Sequence, residues 1–468
     1  MLFASPTFLF FFLPACLAVY FAVPGIRAKN AVLILASLAF YAWGEPRFVP
    51  LIVAMAIFNY AAALAIDARQ GRSRSAALAV AAAANLAALA VFKYADFVVR
   101  TADALLAPAG VSFEEPHIPL PLGISFFTFH CLSYLIDTFR RRFPANRRLS
   151  EVALYIALFP QLIAGPIVRY KTIARRLRVR RHSLGLASAG LRIFVIGLAQ
   201  KLLLADPLAP LANACFDRTA APNLLEAWAG TLAYTLQIYF DFAGYSTMAI
   251  GLGLVFGFRL PRNFRTPYAS RSITEFWRRW HMSLSSWFRD YLYIPLGGNR
   301  FGPLKTYRNL VTVFLLCGLW HGASWTFVLW GAWHGAFLVV ERMGLGRMLR
   351  RLPAPAAWAY AILAVMFGWV LFRAPHMTQA VEVWRGLLGF NGTGPFGAGM
   401  ALAFRKLQLW VFVAGGLLAV FGLPRRLARI RMGPALVWAD NAASVVLLGA
   451  SLLRVAAGTY SPFLYFRF

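Results

Sequence analysis

The chain has 468 residues, of which 60% are hydrophobic and only 14% are charged, whereas soluble domains carry roughly a quarter charged residues. So few charges cannot coat the surface of a soluble protein, which argues against a cytosolic globular enzyme and against a disordered chain. The formal net charge of +30 lies in short basic patches between apolar runs, a pattern typical of membrane-protein loops rather than of nucleic-acid-binding domains. We therefore expect a polytopic membrane protein that contacts membrane lipids and no nucleic acid.

Apolar stretches recur along the whole chain. They cover residues 6–24, 30–43, 48–66, 75–95, 120–138, 151–168, 184–204, 227–258, 309–340, 355–372, 407–423 and 436–457. A membrane-spanning helix needs about 20 residues, so several stretches fit one crossing, whereas others are too short, too long or interrupted by proline and glycine. The pattern predicts one all-α membrane domain over residues 1–468, with about 11–13 membrane helices that include broken or re-entrant elements.

The basic residues indicate how the chain is oriented. They cluster at residues 27–29, 69–74, 140–148, 169–181, 259–308, 342–351 and 425–431. The positive-inside rule assigns these patches to the cytoplasm, and the acidic segments 103–115 and 206–226 are expected outside. The first apolar run, Pro6 to Val23, has no basic residue before Arg27 and predicts a retained membrane helix rather than a cleaved signal peptide. This places the N-terminus outside.

Two apolar stretches have basic loops on both sides and contain helix breakers. The stretch Glu151–Val168 contains Pro160 and Pro166, which predicts a broken or re-entrant element. The stretch Asn309–Val340 is interrupted at Trp320-His321-Gly322, which predicts two short crossings or two half-helices. Non-helical backbone at membrane depth is tolerated only where protein or a water-filled cavity covers it, so both interruptions point to an internal cavity.

Two histidines lie in the most apolar part of the C-terminal half. An ionisable group inside a membrane costs at least about 2.5–3.5 kcal/mol and is therefore a functional candidate. His321 lies between Trp320 and Trp325, two indoles suited to walling a pocket, and imidazole is the side chain best suited to proton transfer near pH 7. A packing role is the alternative for both histidines, and we favour it for His334.

The stretch 272–299 combines aromatic and basic residues. Ser272 with Glu275 three positions later is typical of a capping box. Aromatic and leucine side chains then recur at helical spacing, with arginines between them. These residues are Phe276, Trp280, Leu284, Trp287 and Tyr291. The pattern predicts an amphipathic helix in the cytoplasmic interface, and His281 falls beside the aromatic stripe.

Asp241 lies near the middle of the apolar run 227–258. A carboxylate at that depth requires a partner, either a protonated histidine, an arginine or several hydrogen-bond donors. Structural pairing and a catalytic role are both consistent with this position.

These stretches together resemble the membrane-bound O-acyltransferase family, in the bacterial branch that contains alginate O-acetylation proteins and the D-alanyl transferases of teichoic acid. The segments that carry the resemblance are 40–44, 119–129, 159–167, 239–246, 276–299, 320–322, 368–373 and 461–466. The resemblance implies a helical bundle in the bacterial inner membrane, with His321 of the Trp-His-Gly motif as the catalytic histidine and His281 as a second functional residue. It implies an acyl thioester donor such as acetyl-CoA and no bound cofactor. The acceptor it implies is a hydroxyl of an exported polysaccharide or a periplasmic partner.

Several further residues of these motifs are candidates for supporting roles or for lining a tunnel: Asp241, Tyr239, Trp320, Ser324, His334, Asp290 and Asn299. No metal is expected, since the four cysteines form no CxxC pair. Our hypothesis gives His321 the role of general base toward the acceptor hydroxyl, and His281 the role of holding the donor or stabilising the oxyanion. Covalent transfer through His321 is a less favoured variant.

Three alternatives stay open. A transporter or flippase would use His321 and Asp241 as a proton relay, although the inverted repeats common in such proteins are not evident. A scaffold that only recruits a periplasmic acetyltransferase would need neither histidine. A D-alanyl transferase to teichoic acid is the alternative within the family.

Overall fold

The computed structural model describes residues 1–422, 434–458, 463 and 464. Throughout these residues the chain forms helices and connecting loops without any strand, which confirms the predicted all-α class. The chain divides into two compact units, the first comprising Met1–Phe194 with Met248–Pro261 and the second Val195–Thr247 with Arg262–Phe468. The prediction of a single domain over the whole chain stays a prediction.

The first unit contains the N-terminal helices. They are α1 (Leu13–Ala22), α2 (Gly25–Ala42), α3 (Val49–Asp67), α4 (Gly71–Leu106), α5 (Ile124–Phe139), α6 (Leu149–Ala157), α7 (Phe159–Leu162), α8 (Tyr170–Arg178) and most of α9 (Leu184–Ala199). A π-helical segment, Thr7–Phe12, leads directly into α1, so the predicted first apolar helix is present.

The second unit contains the remaining helices. They are α10 (Ala209–Phe216), most of α11 (Leu224–Val255), α12 (Ile273–Trp277), α13 (Met282–Phe288), α14 (Gly302–His321), α15 (Trp325–Val340), α16 (Gly346–Leu349), α17 (Ala354–Arg373), α18 (Met377–Leu387), α19 (Ala398–Ala403), α20 (Lys406–Phe421) and α21 (Pro434–Ala456).

Within the described residues, 7 helical segments are long and apolar enough to cross a membrane. They are Gly25–Ala42, Pro46–Asp67, Gly71–Ala109, Leu184–Phe216, Leu224–Val255, Ala354–Arg373 and Trp438–Ala456, and shorter apolar helices cover Thr7–Ala22, Ile124–Phe139 and Lys406–Phe421. The expected polytopic membrane architecture is therefore confirmed.

The stretch Glu151–Val168 is broken as predicted. Helix α6 ends at Ala157, Leu158 adopts an extended ψ of 112°, and the one-turn helix α7 follows. The residues after α7 continue without helix, and the whole stretch is nearly completely buried. Buried protein surroundings are what irregular backbone at membrane depth requires.

Helices α14 and α15 form an antiparallel hairpin whose tip is the predicted interruption. Helix α14 ends at His321, Gly322 is extended with φ −157° and α15 begins at Trp325. The ring of Phe327 lies where a side chain on Gly322 would be, so any larger residue at the tip would have to displace that ring. Glycines inside the hairpin allow the two backbones to approach closely, as small residues do between membrane helices.

The stretch 272–299 differs from its prediction. The Ser272 cap is confirmed, because its hydroxyl accepts the backbone N–H of Glu275 at 3.0 Å. The predicted single amphipathic helix is wrong, however: α12 ends at Trp277, α13 starts at Met282, and a π-helical turn follows at Arg289–Tyr293. All members of the aromatic stripe are buried. The stripe therefore packs against protein, because two short helices turn these side chains inward.

Two parts of the sequence patterns lie outside the described residues. They are the basic patch 425–431 and, within the C-terminal motif, residues 461, 462, 465 and 466.

Candidate active site

His321 is the last residue of α14 and lies at the tip of the hairpin. Its side chain is buried, with only 4% of the residue exposed. Aromatic rings surround the imidazole: the ring centroids of Trp320, Trp330 and Phe372 lie 4.9, 5.0 and 5.2 Å away. A wall of this kind fixes the orientation of the imidazole and lowers the local dielectric constant.

His281 lies in the break between α12 and α13. Its backbone is left-handed, with φ 41° and ψ 53°, which is uncommon for a residue other than glycine. Asn263 holds the break, since its carbonyl and its side-chain Oδ1 accept the backbone N–H groups of Met282 and Ser283 at 2.9 and 3.2 Å. The strain is therefore stabilised by tertiary contacts, as is common at functional sites.

The imidazole of His281 is completely buried. The ring of Phe242 packs nearly perpendicular to it, with ring centroids 4.7 Å apart. Among the described residues, neither ring nitrogen of His281 has a hydrogen-bond partner. Burial lowers the pKa of His281, which lies outside every candidate spanning helix, to about 3. The ring is neutral at physiological pH and carries one N–H donor and one acceptor nitrogen.

The structure brings the two predicted histidines together. The ring centroids of His281 and His321 are 6.5 Å apart, and Trp320 lies 6.1 Å from His281. A ring nitrogen lies about 1 Å from its centroid and a hydrogen bond spans about 3 Å, so both rings can reach one small reacting group. The pair can therefore combine a base with a hydrogen-bond donor.

His334 is also completely buried, in the middle of α15. Trp277 and Trp330 lie 5.2 and 5.0 Å from its ring, and Phe276 is nearly parallel to it at 6.2 Å. Trp330 contacts both His321 and His334. This aromatic cage is what the packing interpretation of His334 predicts.

Asp241 has the partner that its depth requires. The Lys201 Nζ lies 2.6 Å from Asp241 Oδ1 and 2.7 Å from Asp206 Oδ1, and all three side chains are buried. The backbone N–H of Leu464 donates to Asp241 Oδ2 at 2.7 Å. Lys201 is not among the residues predicted for the site, although a lysine inside the apolar run 184–204 is a signal for a buried ion pair.

The other candidates have different surroundings. Tyr239 packs on Tyr268 and Trp280 at 5.3 and 6.2 Å between ring centroids. Ser324 is the N-cap residue of α15, and its hydroxyl lies 2.8 Å from that of Thr326.

Asp290 pairs with the side chain of Arg289 at 2.7 Å, and Asn299 is exposed. Trp320, another of the supporting candidates, contacts the rings of both histidines.

A cavity of about 680 Å³ lies against α12 and α15, the helices that also hold the aromatic cage of His334. Arginines and carboxylates line it, among them Arg271, Arg278, Arg342, Arg350, Glu275 and Glu341. Glu341 accepts the backbone N–H groups of Ile273 and Thr274 at 2.6 and 2.9 Å, so one of the carboxylates is already used to cap α12. The arginines give the cavity the character of an anion site.

In the first unit, Asp96, Glu115 and His117 have ligand atoms within 4.8 Å of one another. No sequence motif predicts this cluster, because its members come from α4 and from the loop after it. Arg100 Nε lies 3.3 Å from Glu115 Oε1, so one carboxylate already has a cationic partner.

Residues 122–378 match the membrane-bound O-acyltransferase family. This range contains His281, His321, Asp241 and Lys201. The chain belongs to that family. It is a membrane-bound O-acyltransferase, and the expected family and enzyme class are both confirmed.

Relatives with described activities span the chain to different extents. The probable alginate O-acetylase AlgI of Azotobacter vinelandii is 42% identical over the full length of both chains. The peptidoglycan O-acetyltransferase of Helicobacter pylori is 38% identical over 84% of this chain and 80% of its own. The teichoic acid D-alanyltransferase of Bacillus subtilis is 28% identical over 46% of this chain and 58% of its own.

Proposed function

We propose that this enzyme moves an acetyl group from a cytoplasmic thioester donor, acetyl-CoA, to a hydroxyl of an exported polysaccharide such as alginate, or to a periplasmic partner that completes the transfer. The observation that carries this proposal is the His281–His321 pair, with ring centroids 6.5 Å apart in a buried aromatic pocket. Full-length similarity to a probable alginate O-acetylase supports the acetyl group and the polysaccharide.

In this proposal, His321 is the general base. An alcohol is a poor nucleophile, and a neutral imidazole that takes its proton accelerates attack typically by 10²–10⁴-fold. The hydroxyl oxygen forms the new bond to the thioester carbonyl carbon as His321 takes the hydroxyl proton. When the carbon–sulfur bond breaks, His321 returns the proton to the departing thiolate, so the products are an ester and a free thiol.

His281 stabilises the charge that develops during this attack. The thioester carbonyl oxygen becomes negative in the tetrahedral intermediate, and a donor aimed at that oxygen lowers the barrier. A buried neutral imidazole has one N–H to donate. The fixed backbone around His281 keeps the donor in place before the substrate arrives, so little reorganisation is needed at the moment of reaction.

The arginine-lined cavity is the proposed site for the phosphate groups of the donor. Arg278 and Arg342 belong to basic segments that the positive-inside rule assigns to the cytoplasm, the side on which acetyl-CoA is available. The same arginines also suit anionic lipid headgroups, which carry the same phosphate chemistry. In this proposal the enzyme lies in the bacterial inner membrane with its N-terminus in the periplasm. The acyl group passes through the bilayer at His321.

D-Alanyl transfer is the second candidate. Its support is the partial similarity to the teichoic acid D-alanyltransferase, which spans less than half of this chain. Acetyl transfer is favoured because the similarity to O-acetyl-transferring relatives spans most or all of the chain.

The test uses membranes that contain the full chain, labelled acetyl-CoA and an alginate acceptor. His321→Asn should lower acetyl incorporation by at least 10²-fold, because the base is lost, while the amount of protein in the membrane stays unchanged. His334→Asn is the matched control, since it makes the same substitution in the same hairpin, and it should keep most of the activity. Persistent transfer by His321→Asn would reject the base assignment, and transfer of D-alanine instead of acetate would favour the second candidate.

A further inference from the structure

The C-terminal residues Phe463 and Leu464 lie against α11. The backbone N–H of Leu464 donates to Asp241 Oδ2 at 2.7 Å, although the two residues are 223 positions apart. The ring of Phe463 stacks on Tyr245 at 4.5 Å between centroids and lies 6.2 Å from Phe242. Both Phe463 and Leu464 are buried. One face of α11 therefore holds this segment through a backbone hydrogen bond and two ring contacts.

Asp241 is suited to hold the segment because its own charge is compensated. Its Oδ1 lies 2.6 Å from Lys201 Nζ, which also pairs with Asp206 at 2.7 Å. A backbone N–H that donates to an ionised carboxylate forms a hydrogen bond roughly twice as strong as one between neutral groups. The two oxygens of Asp241 thus have separate roles: one faces the lysine and the other accepts the C-terminal backbone.

The docked segment is close to the candidate active site. Phe242, the residue after Asp241, packs nearly perpendicular to the His281 ring, with ring centroids 4.7 Å apart. Phe463 lies against the same phenyl ring. A displacement of Phe463 therefore removes a support of the ring that orients His281. Asp241 Oδ1 pairs with the Lys201 ammonium and Oδ2 accepts the Leu464 N–H. Because both oxygens have partners within the protein, the geometry favours an anchoring role over a proton relay.

We propose that the Lys201–Asp241 pair is a positioning device: it anchors Phe463 and Leu464 against Phe242 and so keeps His281 oriented for transfer. This inference rests on the proposed function. Asp241 acts through Phe242 and the C-terminal segment, and it is a positioning residue rather than a catalytic one.

The test removes a single donor. Leu464→Pro lacks the N–H that Asp241 accepts, whereas Leu464→Ala keeps it and serves as the matched control. Leu464→Pro should lower kcat for acetyl transfer at least tenfold relative to Leu464→Ala, with KM for acetyl-CoA within twofold and an unchanged melting temperature. Phe463→Ala should also lower kcat, because it removes the ring that contacts Phe242. Equal kcat values for Leu464→Pro and Leu464→Ala would overturn the proposal.

Hydrogen–deuterium exchange of the C-terminal peptide gives a readout that does not depend on activity. Leu464→Ala should keep slow exchange in this peptide, and Asp241→Ala should accelerate it at least tenfold. Equal exchange in wild type and Asp241→Ala would overturn the anchor. A wild-type enzyme unable to use acetyl-CoA would overturn the proposed function, while the exchange rates would still decide the anchor.

Discussion

The second unit contains two buried polar centres, and the cost of burying their polar side chains is lowered differently in each. His281 and His321 are enclosed by aromatic rings, and their side chains can lie neutral in such surroundings. Lys201, Asp206 and Asp241 instead carry opposite charges at 2.6–2.7 Å. Burying an ion costs several kcal/mol unless it is paired, whereas a neutral imidazole avoids most of that cost. A site that must bind a substrate can therefore use neutral imidazoles, whose ring nitrogens can bond to that substrate. The charged side chains instead pair with one another inside the protein.

The largest effect on folding is expected at the charged centre. Lys201→Met leaves two buried carboxylates without their cation, and removing one partner of a buried ion pair typically costs about 3–5 kcal/mol. We expect a strongly reduced amount of folded protein in the membrane and a lower melting temperature in detergent.

Asp206→Asn is the control for this substitution, because it leaves one lysine paired with one carboxylate. It should lower the melting temperature less than Lys201→Met. If Lys201→Met were as stable as wild type, the comparison between the two centres would fail.

At the histidine centre the expected effect is on catalysis instead. His281→Asn keeps a residue that tolerates the left-handed backbone but places its polar atoms differently. It should lower acetyl transfer about 10²-fold, the size of effect seen when one oxyanion donor is removed. Assays of transfer and melting temperature on the same preparation separate the two effects. A loss of stability that matched the loss of activity would show a structural role.

The pH dependence of stability sharpens the same contrast. Burial lowers the pKa of His281 to about 3, whereas in the unfolded chain a histidine titrates near 6.5. The unfolded state therefore binds more protons below pH 6.5, and the stability that depends on the neutral ring is lost as the pH falls from there toward 3. Relative to His281→Asn, the wild type should lose about 1–2 kcal/mol between pH 7 and pH 5. If the difference between the unfolding free energies of the wild type and His281→Asn stayed constant from pH 7 to pH 5, His281 would not be buried as a neutral ring.

The smallest effect is expected at the start of α12, which only supports the break at His281. Ser272→Ala removes the acceptor for the Glu275 N–H and should cost about 1 kcal/mol. Ser272→Asp keeps an acceptor and should be nearly neutral. Unfolding measurements on both variants check this, and a Ser272→Asp variant as unstable as Ser272→Ala would show that the cap has no role.

The sequence by itself determined the elements whose causes are local. Apolar runs of sufficient length specify membrane helices whatever they pack against, because the backbone must satisfy its hydrogen bonds internally in lipid. The proline-rich interruption around Pro160, the Trp320-His321-Gly322 tip and the Ser272 cap depend on neighbouring residues, and each was predictable.

Only the tertiary structure decided which distant residues meet. The aromatic stripe of 272–299 has helical spacing, but Asn263 hydrogen-bonds the backbone after His281 and stabilises a break that propensity does not indicate. Likewise, the position of Asp241 in an apolar run indicates that its carboxylate needs a partner. The spacing of residues in the sequence does not identify Lys201 or Leu464 as that partner. The 6.5 Å between His281 and His321 depends on how the hairpin α14–α15 packs beside α12 and α13. Such long-range contacts follow from packing of the whole unit, and a linear pattern does not contain them.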